Sequence, residues 1–274
     1  NEAINKKAGR KLLPSIAVGL SLIALVWFAL SYQREVFAIV VAVAVILGLR
    51  EIVRAFAARA IAISFNTLTL AAIGLAYASW IGGVGGLAVA TAVAIPLLLI
   101  RALMQGPQGF VAKATATTFS LLYLPFLAGF LILLARPSTG FQRVMTFVVL
   151  VGCNDTFGYI VGVLLGKHPL VPKISPKKTW EGLVGSLLFT MIGGALAFEY
   201  IMDMHWWIGL IVGLMIVFTA TCGDLIESAM KRDLSLKDMG TLLPGHGGML
   251  DRLDSVVLSA PAMWLALELV KRFL

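Results

Sequence analysis

Two carboxylates, Asp251 and Asp254, stand three residues apart near the C-terminus, where a last apolar run begins. On a helix that spacing projects both from one face. Such a pair suits a hard divalent cation, and Mg2+ commonly binds one or two carboxylates together with phosphate oxygens and water. Asp224, late in the preceding apolar run, would make a third. Asp224, Asp251 and Asp254 are therefore the candidate metal ligands for Mg2+, with a second cation left open. Around them runs MKRDLSLKDMGTLLPGHGGMLDRLD, residues 230–254, in which Lys231, Arg232, Lys237 and Arg252 can meet phosphate oxygens. His246-Gly247-Gly248 adds a place where bare backbone N–H groups can approach an anion. What these residue types share is the handling of phosphates.

A second polar loop, 166–182, carries Ser175, Lys177 and Lys178 among Pro and Gly. By charge alone it reads as readily as a cationic loop at a membrane surface. Asn154 and Asp155 interrupt another apolar run, and Asp224, Glu227 and Ser228 follow i, i+3, i+4 spacing. An ionisable group near a bilayer core costs about 2.5 kcal/mol or more unless it faces a cavity or a partner. The stripe therefore marks a polar cavity. For Asn154, Asp155 and Glu181, helix packing or loop anchoring competes evenly with substrate contact. Asp238 has a simpler reading, orienting Lys237.

The elements that must position these groups are membrane helices. Of 274 residues, 59% are hydrophobic and 13% charged, against about 45–50% and about 25% in soluble chains. With about 20 apolar residues needed per crossing, nine segments qualify: 14–32, 36–52, 64–81, 84–104, 115–135, 144–166, 183–202, 206–226 and 254–270. The third and fourth are separated only by Ile81-Gly82-Gly83, a tight turn. With the N-terminus in the cytoplasm, seventeen of the 22 lysines and arginines fall on the cytoplasmic side. Arg34, Arg136, Arg143, Lys271 and Arg272 are left opposite, a split that follows the positive-inside rule. The expectation is an all-α polytopic membrane protein of about nine helices, N-terminus cytoplasmic.

Several classes drop out. The net charge of +8 comes with no basic run interleaved with stacking aromatics, so nucleic acid is not an expected partner. Cys153 and Cys222 lie in apolar stretches without CxxC spacing, which suggests neither a disulfide scaffold nor a thiolate site. The basic N-terminal segment precedes a run long enough to span and is read as a first anchor. No internal repeat supports a transporter, although a channel lined by Asp155, Asp224 and Glu227 is a rival reading.

From Ser228 through Lys231-Arg232, Lys237-Asp238, Gly240, Leu243-Pro244, His246-Gly247-Gly248 and Asp251-Arg252-Leu253-Asp254, the chain matches without a gap the signature of CDP-diacylglycerol synthases (phosphatidate cytidylyltransferases). Ser175-Pro176-Lys177-Lys178-Thr179-Trp180-Glu181-Gly182 and Asn154-Asp155 resemble that family too. The resemblance covers 150–274; the N-terminal half is similar only in being helical and apolar. It implies transfer of a cytidylyl group from CTP to phosphatidic acid, giving CDP-diacylglycerol and pyrophosphate. Lys231, Arg232, Lys237 and Arg252 would neutralise phosphates, with Ser175, Lys177 and Lys178 contributing from the facing loop. The substrates would bind on the cytoplasmic side, with the lipid entering sideways toward Asp155 and Asp224. The resemblance also suggests a homodimer, formed through the motif-poor region 1–140, with 141–274 carrying the catalysis. A CTP-dependent polyprenol or phytol kinase is the alternative enzyme.

Overall fold

The computed structural model describes residues 12–236, 238–240 and 247–273. Among the described residues nine α-helices appear in chain order: α1 Leu12–Tyr32, α2 Arg34–Ala57, α3 Phe65–Leu103, α4 Phe110–Leu121, α5 Leu127–Ala135, α6 Gly140–Leu165, α7 Trp180–Tyr200, α8 Trp206–Asp233 and α9 Leu250–Phe273. A single π-helical turn, Leu122–Phe126, joins α4 to α5. Among the described residues seven segments are long and apolar enough to cross a membrane: α2, α3, α4 with α5, α6, α7, α8 and α9. The protein is a polytopic all-α membrane protein.

Helix α3, at 39 residues, would measure about 58 Å if straight, about twice the thickness of a hydrocarbon core. It is not straight. Gly83 leaves the helix at φ 62°, ψ −147°, in the tight turn expected from Ile81-Gly82-Gly83. A Cβ on Gly86 would lie 2.2 Å from the carbonyl oxygen of Ala78, a residue about 12 Å away along a straight helix. The chain has therefore folded back, and the arms 65–82 and 84–103 lie side by side. Arg136 locks the reversal. Its Nε and Nη2 donate to the carbonyls of Trp80 (2.7 Å) and Ile81 (3.0 Å), which end the first arm. Gly83, lacking a Cβ, leaves room for that guanidinium.

The α4–α5 segment runs through the middle, with Leu124, Leu131, Ile132, Leu133 and Leu134 all buried. Large apolar side chains such as Leu70, Tyr77, Val89 and Phe218 face outward, as lipid-facing surfaces require. Lipid provides no hydrophobic drive for helix pairing, so close backbone packing through small residues must serve instead. The seams of α6, α7, α8 and α9 follow that rule. Gly182 meets Gly158 and Gly162, and Gly194 lies against Gly209.

Two expectations are revised here. The 166–182 loop contains an antiparallel hairpin, β1 Pro169–Val171 and β2 Ser175–Thr179. Helices also extend into the supposed loop 230–254: α8 runs on to Asp233 and α9 begins at Leu250. The span-finding ruler counts apolar residues, and so it stops where charges start even though the backbone stays helical.

Candidate active site

Helices α8 and α9 cross in backbone contact. A Cβ on Gly223 would sit 2.4 Å from the carbonyl oxygen of Asp254, so only glycine permits the approach. Asp224 follows Gly223 on one helix and Asp254 stands at the crossing on the other. Asp254 is 9% exposed and accepts the backbone N–H of Ser255 at 2.8 Å. The hydroxyl of Ser255 reaches Oδ2 of Asp155 on α6, at 3.4 Å. Asn154 donates to the other oxygen of Asp155 at 2.9 Å, while Ser186 donates to the Asn154 carbonyl at 2.7 Å. Asp155, Asp224 and Asp254 stand close enough to repel one another. Three helices thus bring carboxylates into one region, with Asp254 buried, Asp224 partly exposed and Asp155 exposed.

Cations arrive from two directions. Lys178, on β2, reaches Asp224 Oδ2 at 2.5 Å and pins the hairpin to α8. Arg232 supports the same docking, donating from Nε to the Ile174 carbonyl at 3.3 Å. Side chains alternate across a strand, so Lys177 points away from Lys178 and is exposed. Ser175 begins the same strand. Behind the hairpin, Glu181 accepts the N–H groups of Lys167 (3.1 Å) and His168 (3.3 Å) and pairs with His168 Nδ1 at 2.6 Å. Among the described residues its carboxylate closes the hairpin's base and does not reach the carboxylate region. Thr179 accepts the Gly182 N–H at 3.2 Å and caps α7.

One turn of α8 beyond Glu227, Lys231 forms ion pairs with Glu227 and with Asp251 Oδ1, the latter at 2.8 Å. Asp251 Oδ2 takes N–H groups from Gly248 (2.7 Å) and Met239 (3.2 Å). Both oxygens of Asp251 are therefore occupied by the protein's own donors. Gly247, at φ 78°, has no space for a side chain beside Asp251, and a Cβ on Gly248 would lie 2.3 Å from Glu51 Oε2. The glycines thus wrap carboxylates, and the N–H of Gly248 is already engaged. Arg252 shares the first turn of α9 with Asp251 and Asp254. Lys237 and His246 lie outside the described residues.

Among the described residues no group of three or more acidic, His or Cys side chains is close enough to hold a metal ion. Asp251 does not join the other two carboxylates, because Lys231 and the Gly248 and Met239 amides hold it. Asp224 and Asp254, on touching helices, do fit an ion that takes one or two carboxylates and fills its shell with phosphate and water.

Two acids escaped the assignment from sequence. Glu227, a member of the polar stripe and of the rival channel lining, stands outside the expected phosphate site; it is 1% exposed and pairs with Lys231. Glu51, 5% exposed on α2, accepts the N–H groups of Met249 (2.9 Å) and Leu250 (2.8 Å) at the start of α9. A helix N-terminus has orphan donors and favours a negative charge, here supplied from far away in the chain. A signal existed: Gly48, Glu51, Ile52 and Ala55 share the i, i+3, i+4, i+7 spacing of a buried face, and all four are buried.

Fold and site together define a polytopic membrane enzyme whose buried acids and facing cations suit phosphate chemistry. Comparison with known proteins narrows the class. The profile of the Cytidylyltransferase family matches residues 15–270. A phosphatidate cytidylyltransferase of Mycobacterium bovis is 36% identical over 96% of this chain and 90% of its own length. One from Mycobacterium leprae is equally similar, 36% over 96% and 90%. One from Staphylococcus aureus is 41% identical over about half of each chain, 49% and 52%. The chain belongs to the cytidylyltransferase family, and its enzyme class is nucleotidyltransferase.

Proposed function

We propose that the chain transfers CMP from CTP to phosphatidic acid, releasing pyrophosphate and forming CDP-diacylglycerol for phospholipid synthesis. The observation that carries this reading is the Lys178–Asp224 bridge, 2.5 Å long. It draws the hairpin's cation onto the carboxylate region where α8 and α9 cross. The lipid phosphate is its own nucleophile. An oxygen of it bonds to the α-phosphorus of CTP as the bond from that phosphorus to the β-phosphate bridging oxygen breaks. Little base catalysis is needed, because a phosphate monoester is largely ionised at neutral pH. The barrier lies in bringing two polyanions together, which positioning and fixed charge can lower. Lys178, Lys231, Arg232 and Arg252 supply that charge from the hairpin, α8 and α9, and Lys237 belongs to the same set. Asp224 and Asp254 would hold Mg2+, whose role when bound is to neutralise phosphate oxygens.

Read as nine crossings, with α3 counted as two and α1 as the first, and oriented by the positive-inside rule, the chain would have its N-terminus and both cationic segments in the cytoplasm, where CTP is found. The motif-poor N-terminal half offers the surface for a homodimer. The test is direct. Purified protein is given phosphatidic acid, CTP and Mg2+, and the products are analysed. Pyrophosphate with CDP-lipid is the expected result. CDP with a phosphorylated polyprenol, formed when that lipid is offered, would make it a kinase instead.

A further inference from the structure

The π-helical turn Leu122–Phe126 lies in the N-terminal half, remote in sequence from every motif, yet it packs against the metal-candidate turn. Leu124 from this turn and Leu250 and Leu253 from the first turn of α9 converge on the same spot, the bare Cα of Gly48. Pro125 sits inside the turn, where it lacks an N–H and disfavours a regular α-helical ladder. Turns of this kind re-aim a side chain and are frequent at functional sites. Tyr123 is buried within this turn. Its ring stacks on Phe119, with centroids 5.2 Å apart and planes 9° apart, which fixes where the hydroxyl goes. Tyr123 is 5% exposed, and among the described residues its hydroxyl has no hydrogen-bond partner. It lies within electrostatic reach of Asp254, Glu227 and Asp224. One oxygen of the buried Glu227 is likewise without a hydrogen-bond partner among the described residues.

A buried hydroxyl left unpaired costs free energy, and native chains seldom tolerate it without a reason. At the edge of a carboxylate cluster that reason is a ligand. We propose that Tyr123 is a substrate-contacting residue of the active site. Its hydroxyl donates a hydrogen bond to a phosphate oxygen of the nucleotide held between α8 and α9. This rests on the cytidylyl-transfer site described above. The N-terminal half then supplies a direct contact to the reaction.

Tyr123→Phe removes the hydroxyl and keeps the stacked ring. The full-length chain in detergent is followed by thermal unfolding in three states: alone, with Mg2+, and with Mg2+ and CTP. For the wild type, absence of any shift with Mg2+ and CTP would sink the site itself, independently of Tyr123. For Tyr123→Phe the unfolding temperature alone should equal or exceed that of the wild type, since an unsatisfied group is gone. The Mg2+ shift should be unchanged, and the extra shift from CTP should shrink. Loss of one hydrogen bond to a charged group corresponds to about a 10- to 100-fold drop in kcat/KM for CTP. A wild-type CTP shift and wild-type kinetics would overturn the proposal. So would a lower unfolding temperature for the variant alone, or loss of the Mg2+ shift, because these would assign the hydroxyl to structure or to the metal ligands.

Discussion

The two halves of this chain divide the work unevenly. The C-terminal half holds the dense motifs, and their side chains make the ion pairs Lys178–Asp224, Lys231–Asp251 and Lys231–Glu227. The N-terminal half carries no motif, yet it sets where those groups stand. Glu51 holds the start of α9, and Arg59 donates to the Asp233 carbonyl (2.6 Å) and the Ser235 hydroxyl (2.5 Å) at the end of α8. The end of α8 and the start of α9 are thereby both gripped from α2 and the residues just after it. Motif density marks the residues proposed to bind phosphate and metal. It does not mark which residues hold the chemistry in place.

Substitutions can break that contrast. Asp254→Asn keeps the shape and removes a charge from the crossing of α8 and α9 in the motif-bearing half. CMP transfer should fall by about 100-fold or more, the scale of losing one electrostatic contact to reacting phosphates, while the size-exclusion profile stays that of folded protein. Wild-type turnover would remove Asp254 from the metal site. Lys178→Ala should act more narrowly, raising KM for CTP about tenfold, as expected for one charged contact. An unchanged CTP titration would return the hairpin to a purely surface role.

Glu51→Gln tests the other half. One amide oxygen replaces two carboxylate oxygens, so one N–H at the start of α9 loses its partner inside the protein. A cost of about 1–2 kcal/mol is expected, read as a lower unfolding temperature, together with a fall of about fivefold in rate as the Asp251–Asp254 turn loosens. If stability drops and kinetics stay at wild type, α2 supports the fold without positioning the site. The smallest effect is expected for Lys177→Ala, below about threefold in kcat/KM, because strand alternation turns Lys177 away from Lys178. Equal losses at 177 and 178 would show that the two lysines act as a general positive field.

The membrane-spanning character was legible from composition, and so was the reversal in α3, since two glycines cannot hide in an apolar run. The structure shows where the expected site residues stand: Lys178 meets Asp224, Arg232 docks the hairpin, Lys231 pairs with Glu227 and Asp251, and Asp254 lies at the crossing of α8 and α9. Less was legible where polar backbone replaced apolar counting. The hairpin 169–179 is short and interrupted by Pro172 and Pro176, and the extension of α8 to Asp233 is largely charged, so neither carries a sustained periodic hydrophobic signal.

What the amino-acid order determined alone was local: which stretches are apolar enough for lipid, and which charges share a helix face. Those properties follow from a 3.6-residue period and from transfer free energy, both of which are readable along one dimension. The partnerships were decided only in three dimensions. Asp251 turned from an expected ligand into the acceptor for Lys231 and two backbone amides, because α8 and the segment before α9 close around it. Glu51 gained its role 199 residues away in sequence from Leu250. A buried charge must find compensation wherever the packed helices offer it, and the sequence does not state which helices those are.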